Sequence, residues 1–381
     1  MNSKERVTKT LTHEMPDRLP LALWGGPYGL VDPLYEQLVR ELGLGDPLPP
    51  IREGHTVNHM DDRLLKALGI DVRFVWPGAS PSDPRYLSKQ GDLIYDAFGQ
   101  PWKRTHPYYS ATDGLLKDAE SIEQIEELVH WPDINDPTWT AGVAERSRSL
   151  NDNEYFIIGR MVVSHGPYQM ACDLRNMENF MMDMVVEPSF AKALLDRVTD
   201  IICGLTQNYL EATGGVLDMI ELPGDDYAAN DNLLFSPGLF QQMIRPCIEK
   251  MIAVIREAQP NIKIMLHSDG AIEKLIPEFI EMGIDVIHPL EPVSGMDPAH
   301  VKANYGDAIS FLGGVDISHA MTGSIEDVRQ DVDRCIRDLA PGGGYILAPC
   351  NHLQADVSPE NVIELYDYAK MRGIYPINQR S

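Results

Sequence analysis

The stretch IKIMLHSDGAIEKLIPEFIEMGIDVIHPL, residues 262–290, decides the fold. It opens on a short apolar run that stops at His267-Ser268-Asp269-Gly270. An amphipathic segment at helical spacing follows, and then a second short apolar run, residues 284–290. That order is strand, helix, strand, the unit from which parallel sheets are built. In a strand, residues i and i+2 point to the same face, so His267 and Asp269 look together into whatever lies at the strand's end.

The same alternation extends in both directions. Candidate strands lie at residues 19–24, 71–77, 155–161, 216–222, 262–267, 284–290, 308–314 and 344–350. Between the later ones run amphipathic stretches, among them residues 236–259 and 324–343. Ser236-Pro237 reads as a cap with a first-turn proline, and Ser324 with Asp327 as a near capping box that ends on glycines. Eight strands predict a single α/β domain of the (β/α)8 TIM-type barrel class spanning residues 1–381. Residues 1–18 form an N-terminal helical extension, and the Pro- and Gly-rich residues 25–150, including PGASPSDPR, are insertions over the barrel mouth.

Bulk properties narrow the class. With 44% apolar and 23% charged residues, the chain buries a substantial core. A net charge of −25 argues against nucleic acid and anionic membrane surfaces as partners. The five cysteines are scattered and odd in number, which fits free thiols in a reducing compartment. No apolar run reaches about 18 residues and the first 20 carry no signal-like core, so the chain reads as soluble and cytoplasmic.

In such barrels the chemistry sits where strands end and loops begin. Here those ends are polar: Glu221 then GDDY (224–227), HSDG, His288-Pro289 with Glu291, Gly314 with Asp316, and Cys350-Asn351-His352. GDDY offers an acid or base in Asp225 or Asp226 and a phenol in Tyr227, although Gly-Asp-Asp is also ordinary turn chemistry. His352 is a candidate for substrate contact or for orienting a ligand, with Asn351 beside it. His165 and Tyr168 follow the 155–161 strand at the end where an active site belongs, or form a turn over the mouth. Trp24 and GPYG (26–29) would line the first loop, against an aromatic or apolar substrate. His55 and His59, spaced i, i+4, fit a surface location better than a metal pair.

The stretches LPGDDYAANDNLLFSP, IMLHSDGAIEKLIPEFIEMGIDVIHPLEPVSGMDP, FLGGVDI and LAPGGGYILAPCNHLQADVSPENVIELYDYA resemble the uroporphyrinogen decarboxylase superfamily, which includes the cobamide-dependent methyltransferases. The opening KERVTKTLTHEMPDRLPL is similar to the family's usual start. True decarboxylases of this kind carry an arginine-rich motif after the first strand; residues 24–29 here read WGGPYG, with no arginine to meet a polyanionic tetrapyrrole. The methyltransferase branch carries a zinc motif, His-x-Cys and a distant Cys. His267 matches the histidine and Cys350 the distant cysteine, while Asp269 stands where the nearer cysteine would be.

The resemblance thus implies a zinc site of His267, Asp269 and Cys350, with Glu221 as a fourth ligand. Zinc accepts nitrogen, sulfur and carboxylate oxygen alike. Read without it, Asp269 caps a helix starting near Ala271 and Cys350 is a small buried apolar residue. Catalytic candidates are Glu221, Asp226, Tyr227 and His352; His165, Tyr168 and Asn351 are candidates to contact the cofactor. The implied activity is a methyltransferase moving a methyl group between a small methylated donor, a methoxylated aromatic in the first place, and the cobalt of cobalamin. No D-x-H-x-x-G corrinoid signature occurs, so a separate corrinoid-binding protein would bring it; a homodimer is compatible with this reading. Transfer from methylcobalamin to a coenzyme M-type thiol and metal-independent decarboxylation, with Arg160 or Arg175 facing a carboxylate, are the alternatives.

Overall fold

The computed structural model describes residues 1–26, 29–50, 57–59, 61–76, 86–105, 108–160, 163 and 165–377. Seven parallel strands form one curled sheet in chain order: β1 (Val72–Val75), β2 (Phe156–Arg160), β3 (Met219–Glu221), β4 (Lys263–His267), β5 (Val286–Leu290), β6 (Ser310–Val315) and β7 (Tyr345–Pro349). Each falls inside a stretch expected to be a strand, except that β6 runs one residue past the expected 308–314 to Val315. Both faces of β1, β2, β3, β5, β6 and β7 are buried, inward against the barrel filling and outward against helices. Near-continuous apolar runs in the sequence are the consequence.

The eighth expected strand, residues 19–24, closes the circle without forming a ladder. Leu21 bridges Leu347 of β7 in parallel. Ala22 N–H donates to Leu347 O at 2.9 Å, and Leu347 N–H donates to Pro20 O at 3.0 Å. On the other side, Asp71 N–H donates to Leu21 O at 2.9 Å, tying the segment to the residue before β1. Pro20 has no N–H to give, so a full ladder is impossible here.

A side chain completes what the backbone leaves open. Asp71, 0% exposed, accepts from Leu21 N–H (2.9 Å), Ser3 Oγ (2.7 Å), Arg6 Nη1 (2.7 Å) and both terminal nitrogens of Arg18 (2.8 and 3.0 Å). Arg6 belongs to the helix Ser3–Leu11, which a reciprocal Asn2/Glu5 capping box starts. One carboxylate therefore pins the N-terminal helix and the closing segment at the start of β1.

The caps read from the sequence are present. Ser236 accepts from Leu239 N–H, and Ser324 shares a reciprocal box with Asp327 at the start of Ile325–Leu339. The 236–259 segment departs from one smooth helix: Pro237–Leu239 passes through a widened turn, Phe240–Ile244, into Arg245–Ala258. Pro246 lacks an amide and crowds the preceding turn, which accounts for the widening.

Residues 25–150 hold the helices Asp32–Glu41, Asp62–Leu68, Glu123–Leu128 and Val143–Ser149 together with a four-stranded antiparallel sheet, Tyr86–Gln90, Leu93–Asp96, Pro101–Thr105 and Tyr108–Ala111. That sheet leans on the barrel's C-terminal rim, where Trp102 lies 5.8 Å from the His165 ring. The expected turn PGASPSDPR, with Pro27, Tyr28 and His55, lies outside the described residues. Among the described residues, no helix is long and apolar enough to cross a membrane.

Replacing Asp71 by Asn leaves two largely buried guanidiniums facing a neutral amide. The expected loss is about 3–5 kcal/mol in urea unfolding, the cost of breaking a buried ion pair from one side. A change below about 1 kcal/mol would remove Asp71 from its closing role.

Candidate functional site

Five chain segments converge at the C-terminal rim. β3 ends on Glu221, β4 on His267, and His288 sits in β5 directly opposite His267 in register. Asn351 and His352 follow β7, and the closing segment brings Trp24 and Gly25. Trp24 is walled by imidazoles: ring centroids lie 4.0 Å from His352, 5.3 Å from His288 and 5.6 Å from His267. The Arg160 guanidinium lies 5.3 Å from the Trp24 ring.

The inner half of the site is buried. Glu221, 1% exposed, takes Arg160 Nη1 on Oε2 at 2.6 Å, and its Oε1 finds no hydrogen-bond partner among the described residues. Burial pushes the Glu221 carboxyl up to about 7, and Arg160 only partly offsets that. His288 is 0% exposed; it accepts Gly25 N–H on Nε2 at 3.2 Å, and its Nδ1 meets His267 Nδ1 at 2.8 Å. Burial holds the His267 ring down to about 4 and that of His288 well below its ordinary value. Gly25 is required at this contact, because a Cβ there would lie 2.6 Å from His288 Nδ1.

The outer half is a crowd of carboxylates. Asp226 Oδ1 accepts Asp269 N–H at 2.8 Å, and Asp269 Oδ2 accepts Asn351 Nδ2 at 2.7 Å. Asp269 Oδ1 is buried without a hydrogen-bond partner among the described residues and stands 3.9 Å from His267 Nε2. Burial, reinforced by Asp226 and Glu291, pushes Asp269 up to about 8. Glu291 accepts Gly270 N–H at 2.9 Å and is raised as well, chiefly by burial. Two groups of donors have ligand atoms within 4.8 Å of one another: Glu221, His267 and His288, and Asp226, His267 and Asp269. His267 is common to both.

The structure thus brings Glu221, Asp226, His267, Asp269, Asn351 and His352 to one rim and sends other expected residues elsewhere. Cys350 stands in neither donor group; its Sγ donates to Leu290 O at 3.5 Å, and burial raises the thiol. Tyr227 turns into the core, its hydroxyl donating to Asp225 Oδ2 at 3.2 Å among Phe235, Phe240 and Phe279. Tyr168 is likewise fully buried, against Phe180, Tyr227 and Phe235. Apolar burial outweighs the polar tip for both rings, which corrects their placement at the mouth. Asp225, the other GDDY acid, accepts Tyr168 N–H (3.1 Å) and Gln169 N–H (2.7 Å), and so caps the helix Pro167–Arg175 from the loop of the neighbouring strand.

The cap reading of Asp269 also fails. The next helical turn, Glu273–Leu275, has Ile272 at its start with no side-chain cap, and the carboxylate is engaged by Asn351. His165 sits part-exposed on the rim, 2.6 Å from Asp173 Oδ2. His59 is buried rather than on the surface, stacked 4.0 Å over Tyr35 and 3.4 Å from Asp32. His288 is one of the polar strand ends, but the sequence alone assigns it no role in the site. Its signal is the pairing itself, two neighbouring strands each carrying a histidine at the rim.

A family model described as uroporphyrinogen decarboxylase (URO-D) matches residues 115–371. No curated protein matches the chain. Among solved structures, a methyltransferase from Methanosarcina mazei superposes with a TM-score of 0.64 at 18% identity, over 97% of this chain and 99% of that one. A B12-independent methionine synthase from Shewanella sp. W3-18-1 follows at a TM-score of 0.48 and 12% identity, over 93% of this chain and 96% of that one. A putative vitamin-B12 independent methionine synthase from Listeria monocytogenes gives 0.44 at 10% identity, over 92% and 98%. The first shares the fold; the other two scores support nothing further.

The histidines titrate apart. Burial opposes a charge on His165, yet Asp173 outweighs it and raises the ring, whereas His267 is lowered. Histidine NMR on the metal-free chain at pH 5.5 should find His165 protonated and His267 neutral. Asp173→Asn should lower the His165 midpoint; an unmoved midpoint would remove Asp173 as the cause.

Proposed function

The chain belongs to the uroporphyrinogen decarboxylase family, and from that premise we propose that it is a metal-dependent methyltransferase. It moves a methyl group between a small methylated donor and the cobalt of a corrinoid held by a separate protein. The observation that carries this reading is the convergence of Asp226, His267 and Asp269 on one point of the rim, with Asp269 Oδ1 buried and unpartnered. A nitrogen and two carboxylate oxygens suit a divalent ion, and an ion there would satisfy the orphan oxygen. Zinc is the metal proposed. Asp226, His267 and Asp269 would hold it, with Glu221 and His288 sharing His267 in the second donor group and Cys350 left out of the set.

When bound, such an ion supplies Lewis acidity at the atom that gives up the methyl group. The protein's own part is placement. Asn351 fixes one oxygen of Asp269, and the Asp269 amide fixes one oxygen of Asp226, so both carboxylates are held before any ligand arrives. Trp24 and His352 wall the inner side and keep water from the reacting carbon. Loss of the methyl leaves the donor oxygen with an added electron pair and a need for a proton. Glu221, held near 7, lies at the protonation balance that such an exchange requires.

A ligand set without thiolate is hard and electron-poor, which suits activation of a leaving group better than the sharpening of a bound thiol. The proposed direction is therefore demethylation of the donor, with methoxylated aromatics first and methylamines after. Metal-independent decarboxylation has less support, because its two cationic candidates are engaged. Arg160 pairs with Glu221; Arg175 pairs with Asp183 and donates to the Leu116 and Ala119 carbonyls.

Two measurements test the reading. Elemental analysis should find about one zinc per chain; His267→Ala and Asp269→Ala should lose it, and Cys350→Ala should keep it. Zinc lost with Cys350 would restore the thiolate to the set. Anaerobic assays with free cob(I)alamin and a panel of methyl donors should give methylcobalamin with the wild type. His267→Ala should be slower by at least about a hundredfold. Turnover only from methylcobalamin to a thiol would reverse the direction, and full activity after chelation would end the metal reading.

A further inference from the structure

We infer that His288 is the positioning residue of this site: it decides which nitrogen of His267 carries the proton, and it couples occupation of the site by a cation to the backbone at Gly25. The first half stands on hydrogen-bond bookkeeping alone, and the second rests on the metal reading above.

A backbone amide can only donate. Gly25 N–H at 3.2 Å therefore requires a lone pair on His288 Nε2. A neutral imidazole has one N–H, so that of His288 sits on Nδ1 and points at His267 Nδ1, 2.8 Å away. His267 Nδ1 is then an acceptor, and the proton of His267 is on Nε2. The reverse assignment would set two hydrogens face to face at Gly25. A doubly protonated form of either ring would break the chain as well. One amide thus sets two tautomers.

The consequence lies on the carboxylate side. In the metal-free chain His267 turns an N–H, not a lone pair, toward Asp226 and Asp269. A cation at Nε2 needs the lone pair. The His267 proton must then occupy Nδ1 and donate to His288 Nδ1, and the His288 proton must occupy Nε2. No proton enters or leaves the pair, but His288 Nε2–H now opposes Gly25 N–H, and that hydrogen bond is lost. Gly25 follows Trp24, which touches His267, His288 and His352. Filling the site is in this way transmitted to the first loop of the barrel. His288 acts through His267 rather than on the substrate, in the manner of groups that fix the tautomer of a ligating histidine.

Chains labelled with 15N at histidine and glycine, with zinc ion alone as the probe, decide the matter. Imidazole spectra of the metal-free protein at pH 7.5 should show Nε2–H at His267 and Nδ1–H at His288. Zinc should invert both and speed hydrogen exchange at the Gly25 amide by about tenfold or more. His288→Gln keeps an acceptor for Gly25 and a donor for His267, so it should retain the metal-free His267 tautomer. His288→Leu should give a mixture, a spectroscopic change that a purely structural residue would not cause. Nδ1–H at His267 in the metal-free wild type overturns the positioning role. Zinc seated on His267 with the Gly25 amide unchanged overturns the coupling. Should zinc not bind, the metal reading and the coupling fall together, and the metal-free spectrum alone upholds or refutes His288.

Discussion

A single buried carboxylate, Asp71, closes the barrel. Seven parallel strands curl into a sheet with two raw edges, and the segment that must join them is short and contains a proline. Backbone pairing there amounts to a few bonds to Leu347 and Asp71. The Asp71 side chain supplies the rest by accepting from the closing segment and from two arginines that anchor the N-terminal helix and its exit. An unpaired edge exposes a row of unsatisfied donors and acceptors, and so closure affects the whole sheet. The same segment runs on into Trp24 and Gly25, so what seals the barrel also builds the inner wall of the site.

That wall divides the rim into two chemical environments that share one imidazole. On the inner side, Glu221 and His288 are buried beside Arg160, and desolvation dominates the electrostatics of the carboxyl and the imidazole. On the outer side, Asp226, Asp269 and Glu291 crowd one another and raise the protonation of Asp269. Of the cations at this rim, the Arg160 guanidinium is already matched to Glu221. A divalent ion in the midst of the outer carboxylates would favour their ionised forms. His267 stands between the two environments and inherits constraints from both.

Some of this was legible in the residues. Apolar runs and amphipathic stretches placed seven strands, and Ser236-Pro237 and Ser324 with Asp327 marked helix starts correctly. The polar strand ends also foretold that Glu221, His267 and Asp269 gather at the rim. What misled was direction. Tyr227 and Tyr168 sit beside site residues in the chain yet turn into an aromatic cluster, because a buried ring gains more from Phe235 and Phe240 than from solvent. Cys350 holds a suggestive place in the chain but gives its thiol to the Leu290 carbonyl.

The sequence by itself determined the alternation of strand and helix, the caps, and which loops carry polar side chains. Those signals are local, written in periodicity and in neighbours a few residues apart. Only the tertiary structure decided which rim side chains share a point. It set His288 against His267 through the register of two strands, and it brought the Gly25 amide to His288 from 263 residues away in the chain. It also assigned Asp225 to a helix cap and its neighbour Asp226 to the site. Convergence of that kind depends on how distant strands align and on which way each side chain turns, and neither is encoded in any short stretch.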